Sequence, residues 1–177
     1  MGIDFVSFNN YDDDDRYADK GVAYLQIERS ADCVVNLFVT HMQAGYNSVD
    51  QYRDIREEQL KQIESAVTSK TDPDLPALRQ VTMVAGDLNI HGDREPRQEW
   101  HDIFRNGSKV PFFSSDMWDA WEQFISPSET QLTDPGITNR WGAKEWESRL
   151  DYVLLRRPDK VIDPKRKPFV VHRMFQV

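Results

Sequence analysis

The chain has 177 residues, 39% of them apolar, and carries 22 basic against 30 acidic side chains for a net charge of −8. That length is one ordinary domain with enough apolar residues for a core, and no stretch approaches the roughly 18 consecutive apolar residues of a membrane-spanning helix. The acidic balance argues against general affinity for phosphate backbones, which only a local basic cleft or bound divalent cations would reverse. The single cysteine, Cys33, excludes an internal disulfide and a multi-cysteine zinc site.

The start, Met1-Gly2-Ile3-Asp4-Phe5, lacks the basic region and long apolar segment of a secretory signal, and Val6 stands where a myristoylation motif has Ser or Thr. The run Asp12-Asp13-Asp14-Asp15 lacks the spaced ligands and glycine of a calcium loop and reads as a solvated acidic loop. Residues 22–27 and 33–40 read as two strands of a hairpin, turned through 28–32, with Cys33 a small buried hydrophobe. Ser48 and Gln51 have the spacing of a capping box, and Tyr52, Ile55, Ile63 and Val67 recur near helical spacing behind it. The segment 70–74 breaks that helix before a short apolar run, 81–85, bounded by Gly86 and read as a buried strand. Pro96 opens a second predicted helix with Trp100, Ile103 and Phe104 toward the core. Ser115 caps a third, with Trp118, Trp121 and Ile125 on one core-facing stripe. Residues 126–148, rich in Pro, Gly, Thr and Asn, read as a long functional loop. Strands are expected at 150–155 and 169–174. The pattern is α+β, in a single domain over 1–177.

The chemistry-bearing residues sit at the ends of predicted strands. In Gly86-Asp87-Leu88-Asn89 an acid and an amide two positions apart on a strand project to the same side, where they can grip one phosphate or its attacking water. In Thr40-His41-Met42-Gln43 a histidine ends the second strand, placed to donate to a phosphate oxygen or to hold a neighbouring acid. In Ser148-Arg149-Leu150-Asp151-Tyr152-Val153 an acid opens an apolar strand, which is costly unless it is paired or near water. Asp151 either orients a histidine or forms an edge-strand ion pair with Arg149 or Arg156. His91 and Asp93 either line the same cleft or are turn residues. Lys165-Arg166-Lys167, between two prolines, reads as a solvated turn.

Taken in order, these three clusters resemble the endonuclease/exonuclease/phosphatase (DNase I-like) superfamily, which includes DNase I-like nucleases, inositol polyphosphate phosphatases and neutral sphingomyelinases. Ala18-Asp19-Lys20-Gly21-Val22, Thr40-His41-Met42-Gln43-Ala44 and Arg56-x-x-Gln59-Leu60 resemble its sphingomyelinase branch most. The resemblance implies a partial four-layer α/β sandwich, with two packed β-sheets flanked by helices. It implies a metal-dependent phosphodiesterase that converts sphingomyelin to ceramide and phosphocholine. The alternatives are a nuclease or inositol-phosphate phosphatase of the same superfamily, or a non-catalytic remnant. Asp87 would orient or deprotonate the attacking water, Asn89 would hold that water and a phosphate oxygen, and His41 would stabilise transition-state charge. Asp151 would orient a histidine from further along the chain, and Mg2+ would polarise the phosphoryl group. The implied partner is a phospholipid or other phosphodiester, with nucleic acid disfavoured by the charge.

Two family elements are missing. Members begin with a strand bearing an asparagine and a Gln-Glu metal ligand, and end with Ser-Asp-His. Glu28, Glu57 and Glu58 stand in the wrong context for that ligand, so no metal ligand is assigned, and His172 lacks the preceding acid. Thr133, Asp134 and Asn139 resemble a substrate-side segment at imperfect spacing. The resemblance therefore implies a chain incomplete at both ends, with an uncovered apolar face, weak metal affinity and little turnover.

Overall fold

The hairpin forms where the sequence places it, as β2 (Gly21–Ser30) and β3 (Cys33–His41), with a register shift between Glu28 and Ser30. The computed structural model describes residues 2–31, 33–45, 48, 51–72, 75, 79–92, 98–105, 109–121 and 148–157. A first strand, β1 (Gly2–Ser7), pairs antiparallel with β2 on its outer side. It has no counterpart in the expected elements because all six of its residues are exposed, so no inside–outside alternation marks it. Helix α1 (Arg53–Lys70) then carries the chain to β4 (Gln80–Asp87), which lies parallel to β3. Helices α2 (Gln98–Phe104) and α3 (Pro111–Ser115), strand β5 (Met117–Asp119) and strand β6 (Asp151–Arg156) complete the described elements. The six strands form one sheet in the order β1-β2-β3-β4-β6-β5, so the class is α+β and one of the two expected sheets lies among the described residues.

Three local expectations need correction. Ser48 does not cap α1: its carbonyl accepts the Gln51 amide at 3.2 Å, and the cap is Tyr52, in a left-handed conformation (φ 61°) with no side-chain cap bond. Ser115 ends a helix instead of starting one, because α3 begins at Pro111 and closes with the Asp116 amide on the Phe112 carbonyl. Trp118 accordingly lies in strand β5, where alternation replaces the helical stripe. Cys33 is half-buried at the turn end of the hairpin, not enclosed. The positions Pro96 and Ile125, the 126–147 loop and the 169–174 strand lie outside the described residues.

The two faces of the sheet differ. On one, Val22, Tyr24, Phe38, Val84, Tyr152 and Leu154 are buried with Leu60, Ile63 and Val67 of α1, Trp100 and Ile103 of α2, and Phe113 of α3. The other face carries, by register, Phe5 beside Ala23, Val39 and Ala85, and Leu25 beside Leu37 and Met83. These residues, with Ile3 beside Leu25, are half-buried or exposed, Ile3 at 76% and Phe5 at 48%. An apolar sheet face of this breadth is the kind that a second layer covers in sandwich folds.

A fully buried arginine ties the helices to the strand ends. Arg56 of α1 donates to both carboxylate oxygens of Glu99 in α2 at 2.7 and 2.6 Å, and its remaining nitrogen reaches the Gln51 carbonyl at 2.8 Å and the Gln43 carbonyl at 3.3 Å. Arg53 adds ion pairs to Glu57 and Asp102 on the same helix–helix seam. Removing one partner leaves an uncompensated buried charge, so Glu99→Ala should lower unfolding free energy by about 3–5 kcal/mol in denaturant titrations. The double replacement Arg56→Met with Glu99→Leu, which removes both charges and keeps the volume, should recover most of that loss.

Candidate active site

Parallel pairing puts the C-terminal ends of β3 and β4 at one edge of the sheet, and antiparallel β6 starts there. The register sets His41 beside Asp87, and Asp87 beside Asp151. One row across three adjacent strands therefore reads imidazole, carboxylate, carboxylate. The row continues the open face, two positions beyond Val39 and Ala85. The His41 Nε2 lies 3.7 Å from Asp87 Oδ2, with the imidazole 57% and the carboxylate 30% exposed. Asp151 is exposed.

The backbone around Asp87 explains much of the Gly-Asp-x-Asn pattern. Gly86 has φ +132°, and a Cβ there would sit 2.0 Å from the Thr40 carbonyl oxygen, so only glycine lets β4 approach β3 at this point. Asn89 has φ 52°, a left-handed conformation that asparagine tolerates, and its amide closes a turn on Asp87 Oδ1 at 2.8 Å. Its side-chain Nδ2 donates to the Met42 carbonyl at 2.9 Å.

That carbonyl is a node the sequence did not reveal. Lys20 Nζ also donates to it, at 2.8 Å, while the Met42 amide donates to the Asp87 carbonyl at 2.9 Å. Lys20 is held in turn by Asp15 at 2.8 Å, and Asp15 Oδ2 accepts the Ala44 amide at 2.7 Å. The acidic run is thus not uniformly solvated: Asp15 is buried, and Asp12 caps the 3₁₀ turn Asp13–Tyr17. Behind the node, the Gln43 amide donates to Gln59 Oε1 at 2.8 Å, and Gln59 Nε2 reaches the Asn10 carbonyl at 2.8 Å. The one sequence signal for this support was the placement of Lys20 and Gln59 in the quoted family-like stretches.

Burial holds the Asp87 carboxyl above the usual carboxylate range; the Asn89 amide, His41 and Lys20 pull it down, while Asp151 pushes it up. Asp87 therefore binds its proton more readily in the folded chain than in the unfolded one. The stability it contributes is fully present below the ordinary value of 3.8 and is lost as pH rises through the elevated folded value.

The alternative partners for Asp151, Arg149 and Arg156, both have other contacts, and Asp151 itself opens β6. Strand β6 is internal, between β4 and β5. Arg149 Nη1 pairs with Asp119 at 2.9 Å, and Arg156 Nη1 reaches Thr71 Oγ1 at 3.2 Å. His91 Nδ1 lies 2.7 Å from Ser148 Oγ, just before β6, while Asp93, Thr133, Asp134, Asn139, 165–167 and His172 lie outside the described residues. Glu57, on α1, is engaged by Arg53 of the same helix and by Lys109.

The profile of the Endonuclease/Exonuclease/phosphatase family matches residues 6–171. The chain belongs to this family. No curated protein matches it by sequence. Among solved structures it is similar to sphingomyelinase C from Streptomyces griseocarneus, at 22% identity and TM-score 0.54, covering 87% of this chain and 48% of that one. It is also similar to D. rerio TDP2 complexed with single strand DNA product, at 15% identity and TM-score 0.57, with 90% and 53% covered. Staphylococcus aureus beta toxin, in a structure with bound magnesium ions, gives 20% identity and TM-score 0.51, with 84% and 46% covered. At these identities the likeness shows a shared fold, DNase I-like and α+β, and the chain spans about half the length of these relatives.

Family members are hydrolases of phosphodiesters or phosphate esters, generally dependent on a divalent metal. Among the described residues no group of three or more His, Cys, Asp or Glu is close enough together to hold a metal ion. The donors that the row and its turn do offer, carboxylate oxygens of Asp87 and Asp151 and the amide of Asn89, are hard oxygens of the kind a water-rich magnesium ion takes. No described helix is long and apolar enough to cross a membrane.

Because ionised Asp87 detracts from stability, Asp87→Asn, which keeps an acceptor for the Asn89 amide, should raise the thermal midpoint at pH 7 by about 1–4 °C. The gain should shrink as pH falls and vanish below the ordinary carboxylate range, as calorimetric scans across pH 3–8 will show.

Proposed function

We propose that this chain carries the catalytic row of a magnesium-dependent phosphodiesterase of the sphingomyelinase type, acting on a phospholipid. The observation that supports it is the register placing His41, Asp87 and Asp151 side by side at one sheet edge, with Asn89 turned into the same edge. Asp87, made more basic by burial and by Asp151, orients the attacking water and takes its proton. Asn89, anchored through Nδ2 to the Met42 carbonyl, holds that water and a phosphate oxygen with its remaining amide atoms. The exposed His41 imidazole donates to a phosphoryl oxygen as charge accumulates there. Asp151 orients a histidine from further along the chain. Asp87, Asp151 and the side-chain carbonyl of Asn89 would hold a Mg2+ ion, which would supply charge compensation at the phosphoryl group. With sphingomyelin, the water oxygen bonds to phosphorus and the bond to the ceramide oxygen breaks; that oxygen leaves with the bonding pair and takes a proton from solvent, releasing ceramide and phosphocholine.

A second reading, a nuclease, is supported by the similarity to TDP2 complexed with single strand DNA product. The net charge of −8 weighs against it. The 177 residues by themselves should turn over slowly, since two carboxylates and an amide make a weak magnesium site.

Sphingomyelin vesicles, single-stranded DNA and a phosphoinositide, assayed side by side with Mg2+, separate these readings. Slow, chelator-sensitive release of phosphocholine is expected, falling about 100-fold or more in Asp87→Asn and about 100-fold in His41→Gln with KM little changed. Hydrolysis that survives chelation or Asp87→Asn overturns the assignment, and cleavage of DNA alone selects the second reading.

A further inference from the structure

The loop 88–92, which carries Asn89, is laced to the start of β6. The Leu88 amide donates to the Leu150 carbonyl at 2.9 Å, and the Gly92 amide to the Arg149 carbonyl at 3.2 Å. The Tyr152 hydroxyl donates to the Ile90 carbonyl at 2.7 Å, and His91 Nδ1 meets Ser148 Oγ at 2.7 Å. Asn89 is turned the other way, to Asp87 and Met42. Behind the lacing lies Arg149, 2% exposed, with its guanidinium over the Tyr152 ring at 4.5 Å and Nη1 on Asp119 at 2.9 Å. Asp119 also accepts the Trp121 amide at 3.1 Å and Trp100 Nε1 at 3.4 Å, which fixes it from α2 and from the chain just after β5. Gly92 packs against this group so closely that a Cβ would come within 2.5 Å of Arg149 Nη2 and 2.6 Å of the Tyr152 hydroxyl.

We infer that the buried Arg149–Asp119 pair is a positioning element: it locks β6 and the loop 88–92 together so that Asn89 and Asp151 keep their places on either side of Asp87. This rests on the roles proposed above for Asn89 and Asp151. The physical reason is that a buried ion pair is a poor source of net stability, since apolar residues of similar volume often serve as well or better. A planar guanidinium, held at one edge by a carboxylate and on its face by an aromatic ring, has a single position and orientation. The backbone on either side of Arg149 inherits that position through the lacing bonds. Sites whose supporting shell is loose by about 1 Å lose function while the fold survives.

The deciding experiment compares the full chain with the double variant Arg149→Met, Asp119→Leu, which removes both charges and keeps the packing volume. Amide hydrogen exchange is read by NMR at Leu88, Asn89 and Gly92, and at Ile63 and Val67 of α1 as the global reference. The expected result is exchange at least about 10-fold faster at the three loop amides, with the α1 amides within about twofold of the parent. Tyr152→Phe, which cuts only the bond to Ile90 and keeps the ring under Arg149, should give a smaller acceleration at the same loop amides. Unchanged loop exchange in the double variant, or equal acceleration in loop and α1, overturns the inference. Where the parent hydrolyses a phosphodiester, the double variant should lower kcat with KM within about twofold. If the parent proves inactive on every substrate, the functional reading fails while the exchange measurement still decides the positioning claim.

Discussion

The parallel pairing of β3 with β4 is the constraint on which the rest of the molecule depends. A parallel pair cannot be joined by a tight turn, so the chain must cross over, and α1 is that crossover. Parallel strands bring their ends to the same edge of the sheet, which is why His41 and Asp87 meet although they are far apart in the chain. Antiparallel β6 then delivers its first residue, Asp151, to the same edge. Gly86 makes the pairing possible at that point, since the Thr40 carbonyl occupies the space of any side chain. The crossover also supplies Arg56 and Gln59, which hold the chain as it leaves β3.

The polar row and the open apolar face are one continuous surface. His41 follows Val39 and Leu37 on the same side of β3, and Asp87 follows Ala85 and Met83 on β4. Any layer that covers those aliphatic side chains stands beside the row and forms a wall of its cleft. The two features therefore belong to one physical problem: an apolar face that favours being covered, ending in charged groups that require water or a cation.

Charge around the row is largely taken up by contacts within the fold. Lys20 is directed at a backbone carbonyl and Asp15, so it braces the Met42–Asn89 contact. Arg149 and Arg56 are buried in pairs. Asp87 is kept next to a second carboxylate in a partly buried place, an arrangement that works against stability and favours a proton acceptor or a cation.

Much of this was legible from residues alone, for stated reasons. The hairpin, the strand before Gly86 and the strand from Asp151 carry β-branched or alternating runs between turn residues, and those signals are local. The order of the three polar clusters pointed to the family, and the family profile covers residues 6–171. What was not legible depends on partners distant in the chain. Strand β1 has no buried side and so no pattern. The α3–β5 segment reads as a helix by spacing, yet Met117–Asp119 pairs with β6 as a strand, because a sheet edge outweighs a short stretch's helical periodicity. Asp15 looks like one solvated acid among four until Lys20 and the Ala44 amide enclose it. The sequence by itself determined the three polar clusters and the strands whose ends carry them. Tertiary structure decided that three of those ends share one edge, because register across β3, β4 and β6 is set by long-range hydrogen bonding that no local window of residues contains.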